Sequence, residues 1–371
     1  MTRLDYKTAG VDYAKIDPLK VLAQRAAAET AGNLAQHGLS EVAASRGESA
    51  YVVDCGDFYL ASITECLGTK ALVADAMRAL SSNSAGRTYY DQIAQDTLAM
   101  AINDIITVGA TPISVHAYWA ADGSDWFADE QRARDLVEGW KRACDRCGVA
   151  WGGGETPALA GVVEPGRIDL AASCVGIVRP KSRLTLGEML AAGDAIVLLK
   201  SSGIHANGIS LARKLAERLP DGYATPLGDG ILFGEALLAP TLLYSPATEA
   251  LAAAGIVPHY CVNITGHGWR KLMRHHSAFT YRISSLPPVP PVLQFLQQHA
   301  AIDDREAYGN LNMGAGFALF VAGADAERTV QVAREAGFSA LVAGSVERGA
   351  KQIVIEPLQL VFSGDDLHVR A

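Results

Sequence analysis

Apolar residues recur along this chain with two alternating periods. Residues 19–37 are alanine-rich with helical spacing, and 89–109 and 129–147 repeat apolar positions at three- and four-residue intervals, as amphipathic helices do. Between them, Tyr51–Val53, Phe58–Ile63, Ile113–Tyr118, Val149–Trp151 and Ile168–Val178 are short β-branched or aromatic runs that predict strands. The polar, proline-broken run Arg179-Pro180-Lys181-Ser182-Arg183 marks the expected boundary between two domains, 1–180 and 181–371. Beyond it, strands are expected at Ala195–Leu199, Phe317–Val321 and within 340–356, and helices at 207–218, 233–254 and 324–337. Pro287–Pro291 predicts a rigid loop. The alternation places the protein in the α/β (α+β) class.

One helix carries chemistry in its pattern. Thr88 followed by Asp91 resembles a capping box and Gly109 suits the far end, so the residues between should be helical. Asp104 lies eleven positions after Ile93, and at about 100° per residue it returns to within about 20° of it. It therefore joins Ile93, Thr97, Met100 and Val108 on the apolar stripe. A carboxylate there must be paired, metal-bound or protonated, because an isolated buried charge costs several kcal/mol.

The 371 residues are 49% hydrophobic and 19% charged with a net charge of −8, which excludes a global basic field for nucleic acid or an anionic membrane. Met1–Asp5 carries no apolar signal region, and no uncharged run is long enough to span a bilayer, so a cytoplasmic enzyme is expected. Six scattered cysteines fit reduced thiols better than a disulfide framework. Cys144-Asp145-Arg146-Cys147 ends a helical stretch and has no second ligand pair, so it reads as packing.

Glycine clusters change the picture. In Trp151-Gly152-Gly153-Gly154-Glu155-Thr156, bare backbone N–H groups would meet a phosphate and Glu155 would hold its magnesium. Taken alone, such a run reads first as a tight turn whose glycines supply positive φ. Similar clusters recur at Leu67-Gly68-Thr69-Lys70, Ser201–Gly208, Asn263–Gly268 and Asn312–Gly316. Together with Ala9–Tyr13 and Ile102-Asn103-Asp104-Ile105, they resemble, in order and spacing over residues 5–356, the phosphoribosylformylglycinamidine cyclo-ligases, also called aminoimidazole ribonucleotide synthetases.

The resemblance implies two α/β domains, the first contributing strands to a β-barrel at a homodimer interface. It implies ATP-dependent closure of formylglycinamidine ribonucleotide to aminoimidazole ribonucleotide through a phosphorylated amide oxygen, with ATP and Mg2+ as cofactors and no nucleic-acid or membrane partner. The candidate catalytic residues are then Lys70, neutralising phosphate, Asp104, and His205, donating to phosphate or moving a proton. Nucleotide contacts would come from Gly68, Thr69, Asn103, Gly152, Gly153, Gly154, Thr156, Ser202, Gly203 and Asn207. Glu65, Asp104 and Glu155 would be metal ligands, and Thr265–Gly268 would contact the substrate.

Four departures from the family pattern stand out. Glu65-Cys66 occupies the place of an Asp-Gly pair, His267 that of a glycine, Pro157-Ala158-Leu159 that of a more polar, acidic sequence after Glu155-Thr156, and Leu358–Ala371 runs past the usual end. They keep two other expectations open: an ATP-using relative with a different small substrate, and a non-catalytic nucleotide-binding paralogue.

Overall fold

The computed structural model describes residues 4, 10, 12–80, 87–228 and 230–367. Ala9 and Val11 of the Ala9–Tyr13 block, and the chain end from His368, lie outside the described residues.

Six strands form the first sheet: β1 (Ser40–Glu41), β2 (Tyr51–Asp54), β3 (Tyr59–Cys66), β4 (Thr111–Ala121), β5 (Ala150–Glu155) and β6 (Ile168–Val178), in the order β1-β2-β3-β6-β4-β5. All neighbours are antiparallel except β4 and β5. Four helices accompany it: α1 (Tyr13–Glu29), α2 (Lys70–Leu80), α3 (Tyr90–Ile105) and α4 (Glu130–Cys147). Burial alternates strictly along β6, because its even-numbered residues pack against α3 while its odd-numbered ones lie on the sheet's open face.

The second sheet has the order β10-β12-β7-β13-β11-β14-β15. Its strands are β7 (Ala195–Lys200), β10 (Tyr260–Asn263), β11 (Phe279–Ile283), β12 (Ala315–Val321), β13 (Ala340–Arg348), β14 (Gln352–Ile355) and β15 (Leu360–Ser363), while β8 (Pro226–Gly228) and β9 (Ile231–Leu232) form a separate ribbon. Central β7 and β12 are buried on both faces, as their unbroken apolar runs require. The helices are α5 (Ile209–Ala216), α6 (Phe233–Leu237), α7 (Ser245–Ala253), α8 (Pro291–Ala300), α9 (Asp304–Asn310) and α10 (Ala326–Glu335).

The structure redraws several expected elements. Helix 19–37 becomes α1 followed by a 3-10 segment over Ala31–His37. Helix 233–254 splits into α6 and α7, since Pro240 and Pro246 cannot donate within it. The expected Pro287–Pro291 loop ends by starting α8, with Pro291 at a first-turn position that needs no N–H. The capping box at Thr88 does not close: Thr88 accepts the Tyr90 amide at 3.3 Å, but Asp91 turns to Arg142. Gly109, with φ 79°, ends the following 3-10 turn, and a Cβ there would lie 1.9 Å from the Arg183 carbonyl oxygen.

The two sheets are joined by polar contacts centred on the Ala239–Tyr244 segment. Lys70 lies fully buried against Asp96 at 2.8 Å and donates to the Ala239 carbonyl at 2.9 Å. Asp96 accepts from the Thr241 amide at 2.7 Å and from its hydroxyl, and Gln95 donates to the Thr241 carbonyl. Asn103 donates to the Leu242 carbonyl and accepts the Tyr244 amide.

Candidate functional site

A cavity of about 450 Å3 opens where α3, the end of β3 and the segment after β10 meet. Glu65 comes from β3, Asp104 from the last turn of α3, and Asn207 from the loop before α5. Thr265, Gly266, His267, Lys271 and Arg274 come from the segment after β10, and Lys20 from α1. A groove of about 650 Å3 shares Lys20, Gln24, Glu48 and Ile63 with this cavity and runs across the open sheet face past Ser62, Thr64 and Ser173.

Local folding explains these placements. Asp104 is 8% exposed beside buried Ile93 and Thr97, as the helical period requires, and its Oδ1 accepts a 2.7 Å bond from the Asn263 side chain. Lys271 is 7% exposed and donates to the Thr265 hydroxyl at 2.7 Å. Gly268 turns that segment with φ 54°, where a Cβ would stand 2.4 Å from the Tyr308 carbonyl oxygen. His267, at φ −93°, needs no glycine, and its Nε2 lies 3.3 Å from Asp17. Cys66 likewise sits in extended backbone paired with Ala171, so a glycine's conformational freedom is not called on there.

Burial sets the electrostatics. Burial, and then the Asp104 carboxylate, push Glu65 up to about 7, with Lys271 pulling the other way. Burial also brings the Lys271 ammonium down to about 8 despite the attraction of Asp104 and Glu65. His267 falls to about 4 by burial, with Asp17 opposing, and is therefore neutral near pH 7. Arg274 donates to the Gly47 carbonyl at 2.9 Å and the Ser49 hydroxyl at 2.8 Å, which fixes its guanidinium at the cavity wall.

The structure brings together only part of the expected set. Glu65, Asp104 and Asn207 share the cavity, with the Thr265–Gly268 loop. Lys70 does not line it, because its ammonium is consumed by Asp96 and Ala239, and neighbouring Gly68 and Thr69 lie outside the lining as well. Asn103 is likewise spent on the Ala239–Tyr244 segment. His205 is 4% exposed with φ 61°, and its Nε2 accepts the Ser202 amide at 3.2 Å. Burial, and then Lys70, lower it to about 3, which keeps the ring neutral while it accepts from the Ser202 amide. Ser202 donates its hydroxyl to Pro240, and Gly203 lies near Ala239 and Val292.

The glycine run is a strand rather than a turn, although Gly153 does take a positive φ of 118°. Gly152, Gly153, Gly154 and Glu155 form the exposed edge strand β5, with Thr156 exposed just after it. A Cβ on Gly154 would meet the Ala117 carbonyl oxygen at 2.1 Å and one on Gly152 the His116 ring at 2.6 Å, so these glycines let β5 approach β4. Cys66 pairs with Ala171, Ala171 with Tyr118 and Tyr118 with Glu155. Glu155 is thus three strand spacings from Cys66, roughly 14 Å, and does not line the cavity. The three acids do not assemble within one chain, and among the described residues no group of three metal-binding side chains is present.

Sequence reasoning missed Lys271, Arg274 and Lys20. In Trp269-Arg270-Lys271-Leu272-Met273-Arg274 the charges look like a solvated helix face, and only the short 3-10 turn over Gly268–Met273 turns Lys271 inward. The remaining pair, Glu65 and Asp104, offers hard oxygen donors. That suits Mg2+, which is held by one or two carboxylates while phosphate oxygens and water complete its shell.

Comparison with known proteins places this geometry. Residues 47–178 match the AIR synthase related protein N-terminal domain and residues 191–356 the C-terminal domain. Phosphoribosylformylglycinamidine cyclo-ligase of Methanococcus vannielii is 31% identical over 92% of this chain and 92% of its own length. The enzymes of that name from Methanocaldococcus jannaschii (33%; 92% and 91%) and Carboxydothermus hydrogenoformans (32%; 96% and 99%) are similar throughout. Among solved structures, hydrogenase maturation protein HypE in complex with ATP superposes with a TM-score of 0.59 at 18% identity, over 82% of this chain and 83% of that one. Thermotoga maritima PurL complexed with AMPPCP gives 0.55 at 15%, over 86% and 46%. The structural likenesses establish the fold, and the full-length sequence identities establish that the chain belongs to the AIR synthase related family, as a relative of its phosphoribosylformylglycinamidine cyclo-ligases.

Proposed function

We infer that the protein is an ATP-dependent carbon–nitrogen ligase that closes formylglycinamidine ribonucleotide to aminoimidazole ribonucleotide, releasing ADP and phosphate. The observation that carries this reading is identity of 31–33% to cyclo-ligases across some nine-tenths of both chains.

The formyl amide oxygen attacks the γ-phosphorus of ATP as the bond to ADP breaks. The amidine nitrogen then bonds the activated carbon, the carbon–oxygen bond to phosphate breaks, and a proton leaves. The protein's task is positioning and charge neutralisation. Glu65 and Asp104 would hold Mg2+, which draws charge from the transferring phosphoryl group. Lys271 supplies a positive charge on the same wall, held by Thr265, and Asn207 supplies an amide that hydrogen-bonds without adding charge. Neutral His267 orients the loop through Asp17. The groove along the open sheet, with Ser62, Thr64 and Ser173, gives the ribonucleotide hydroxyl partners. Incubating purified protein with formylglycinamidine ribonucleotide and MgATP should yield ADP and aminoimidazole ribonucleotide in equal amounts; ADP without the imidazole, or neither, overturns the reading.

We further read the active form as a homodimer, in which the second copy covers the β4–β5 side of the first sheet's open face and leaves the Ser62–Ser173 groove to the ribonucleotide. The face carries Ile113 and Tyr118, 40% and 36% exposed, and α1 presents Leu19 and Leu22 at 68% and 63% beside it. Apolar surface of this extent invites association. Sedimentation at micromolar protein should give twice the chain mass, and Ile113→Asp should give the monomer; an active wild-type monomer rejects the dimer.

A further inference from the structure

We propose that the C-terminal segment Leu360–Leu367 braces the site loop Thr265–Lys271, and that Arg270 is the positioning residue through which it acts. The inference rests on the reading of the Glu65–Asp104–Lys271 cavity as the reaction site.

Arg270 and Lys271 are adjacent in a tight turn and face opposite ways. Lys271 enters the cavity, while Arg270 turns outward toward α9 and the segment after β15. Its Nε donates to the Gly309 carbonyl at 2.8 Å and to the His267 carbonyl at 3.3 Å, its Nη1 to the Asp366 carbonyl at 3.0 Å, and its Nη2 to the Asn310 side chain at 3.1 Å. One guanidinium thus ties the loop carrying His267 to a helix end and to the C-terminal segment. Charged donors in a fixed fork suit this task, because each bond restrains a different backbone.

The Asp366 carbonyl is itself held in place. β15 pairs antiparallel with β14, Phe362 is 2% exposed, and its ring faces Gly309. Arg305 donates to the Val361 carbonyl at 2.7 Å and lies over the Phe362 ring. Ser363 and Asp366 close a capping box, with the Ser363 amide 2.7 Å from the Asp366 carboxylate. The match to the family's C-terminal domain ends at residue 356, before the edge strand β15 and the turn that reaches back to the cavity loop.

The test uses the full-length protein with Arg270→Gln, Arg270→Lys, and Arg305→Gln, which loosens the strand without touching the loop. Charged hydrogen bonds of this kind are worth enough to change a local opening equilibrium about tenfold or more. Hydrogen exchange of the Gly266–Lys271 amides should therefore accelerate by about that factor in Arg270→Gln. It should accelerate less in Arg270→Lys and in Arg305→Gln. KM for the ribonucleotide should rise by a similar factor while kcat changes by less than about threefold.

If Arg270→Gln lowers the melting temperature but leaves loop exchange and KM for the ribonucleotide within about twofold of the parent, Arg270 only staples α9 and the proposal is wrong. Faster exchange confined to Gly309–Asn310 has the same meaning. Exchange needs no turnover, so a parent that makes no aminoimidazole ribonucleotide but whose variants loosen the loop keeps the brace and sinks the reaction assignment.

Discussion

Asp96→Ala should destabilise the protein by about 3–5 kcal/mol, the cost of leaving one member of a buried ion pair unpartnered. Lys70 and Asp96 are both fully buried, 2.8 Å apart, and burial weakens each charge, lowering Lys70 and raising Asp96 from their ordinary values. Their mutual attraction and the bonds to Ala239 and Thr241 offset that cost. Removing the carboxylate leaves the buried Lys70 ammonium without a counter-ion, with only the Ala239 carbonyl to accept from it, and leaves the Thr241 amide and hydroxyl without their acceptor. Lys70→Met combined with Asp96→Asn should regain most of the loss, because no charge is then buried and the amide oxygen still accepts from Thr241. Denaturant midpoints for parent, single and double variants decide the matter. A loss below about 1 kcal/mol in Asp96→Ala would mean that Lys70 reaches water and a phosphate role for it revives.

The same pair shows where the sequence misleads. Lys70 follows a glycine and a threonine as phosphate-binding lysines do, and nothing local distinguishes a lysine aimed at a ligand from one aimed at an aspartate 26 positions on. The distinction lies in tertiary structure, since Asp96 occupies the inward face of α3. Asp104 was legible because helical period alone places it on the apolar stripe, and its partner, Asn263, was not, because it comes from another domain.

Glycine runs carry a comparable ambiguity. Phosphate approach and strand approach make the same demand, the absence of a Cβ, and the 2.1 Å clash at Gly154 shows that here a neighbouring strand makes it. Regular strands with alternating burial were read almost to the residue, as Ile168–Val178 shows. The Gly268–Met273 turn was not, because a 3-10 segment has too few residues to display a period and its direction is set by Gly268 fitting against Tyr308.

Asp104→Asn should lower turnover on the order of a hundredfold while preserving the fold, since the variant keeps the volume and an oxygen for Asn263 but loses the charge that faces Lys271 and the phosphoryl group. It should also move the pH profile. The Asp104 carboxylate is the second cause, after burial, that lifts Glu65 to about 7. Cation binding needs Glu65 ionised, so MgATP affinity of the parent should strengthen as pH rises from roughly 6 to 8, with proton release on binding. In Asp104→Asn the midpoint of that rise should shift to lower pH, and in Glu65→Gln the rise should flatten. Stability runs the opposite way. A carboxyl whose folded value exceeds its unfolded 4.5 binds its proton more tightly when folded, so the stability it contributes falls as pH climbs from 4.5 to about 7. Glu65→Gln should therefore match the parent near pH 4 and exceed it at pH 8. Calorimetric titration with a non-hydrolysable ATP analogue across this range, beside thermal melts at the two ends, separates the effects. A pH-independent affinity in the parent, or an unshifted midpoint in Asp104→Asn, would show that Glu65 and Asp104 do not share the cation.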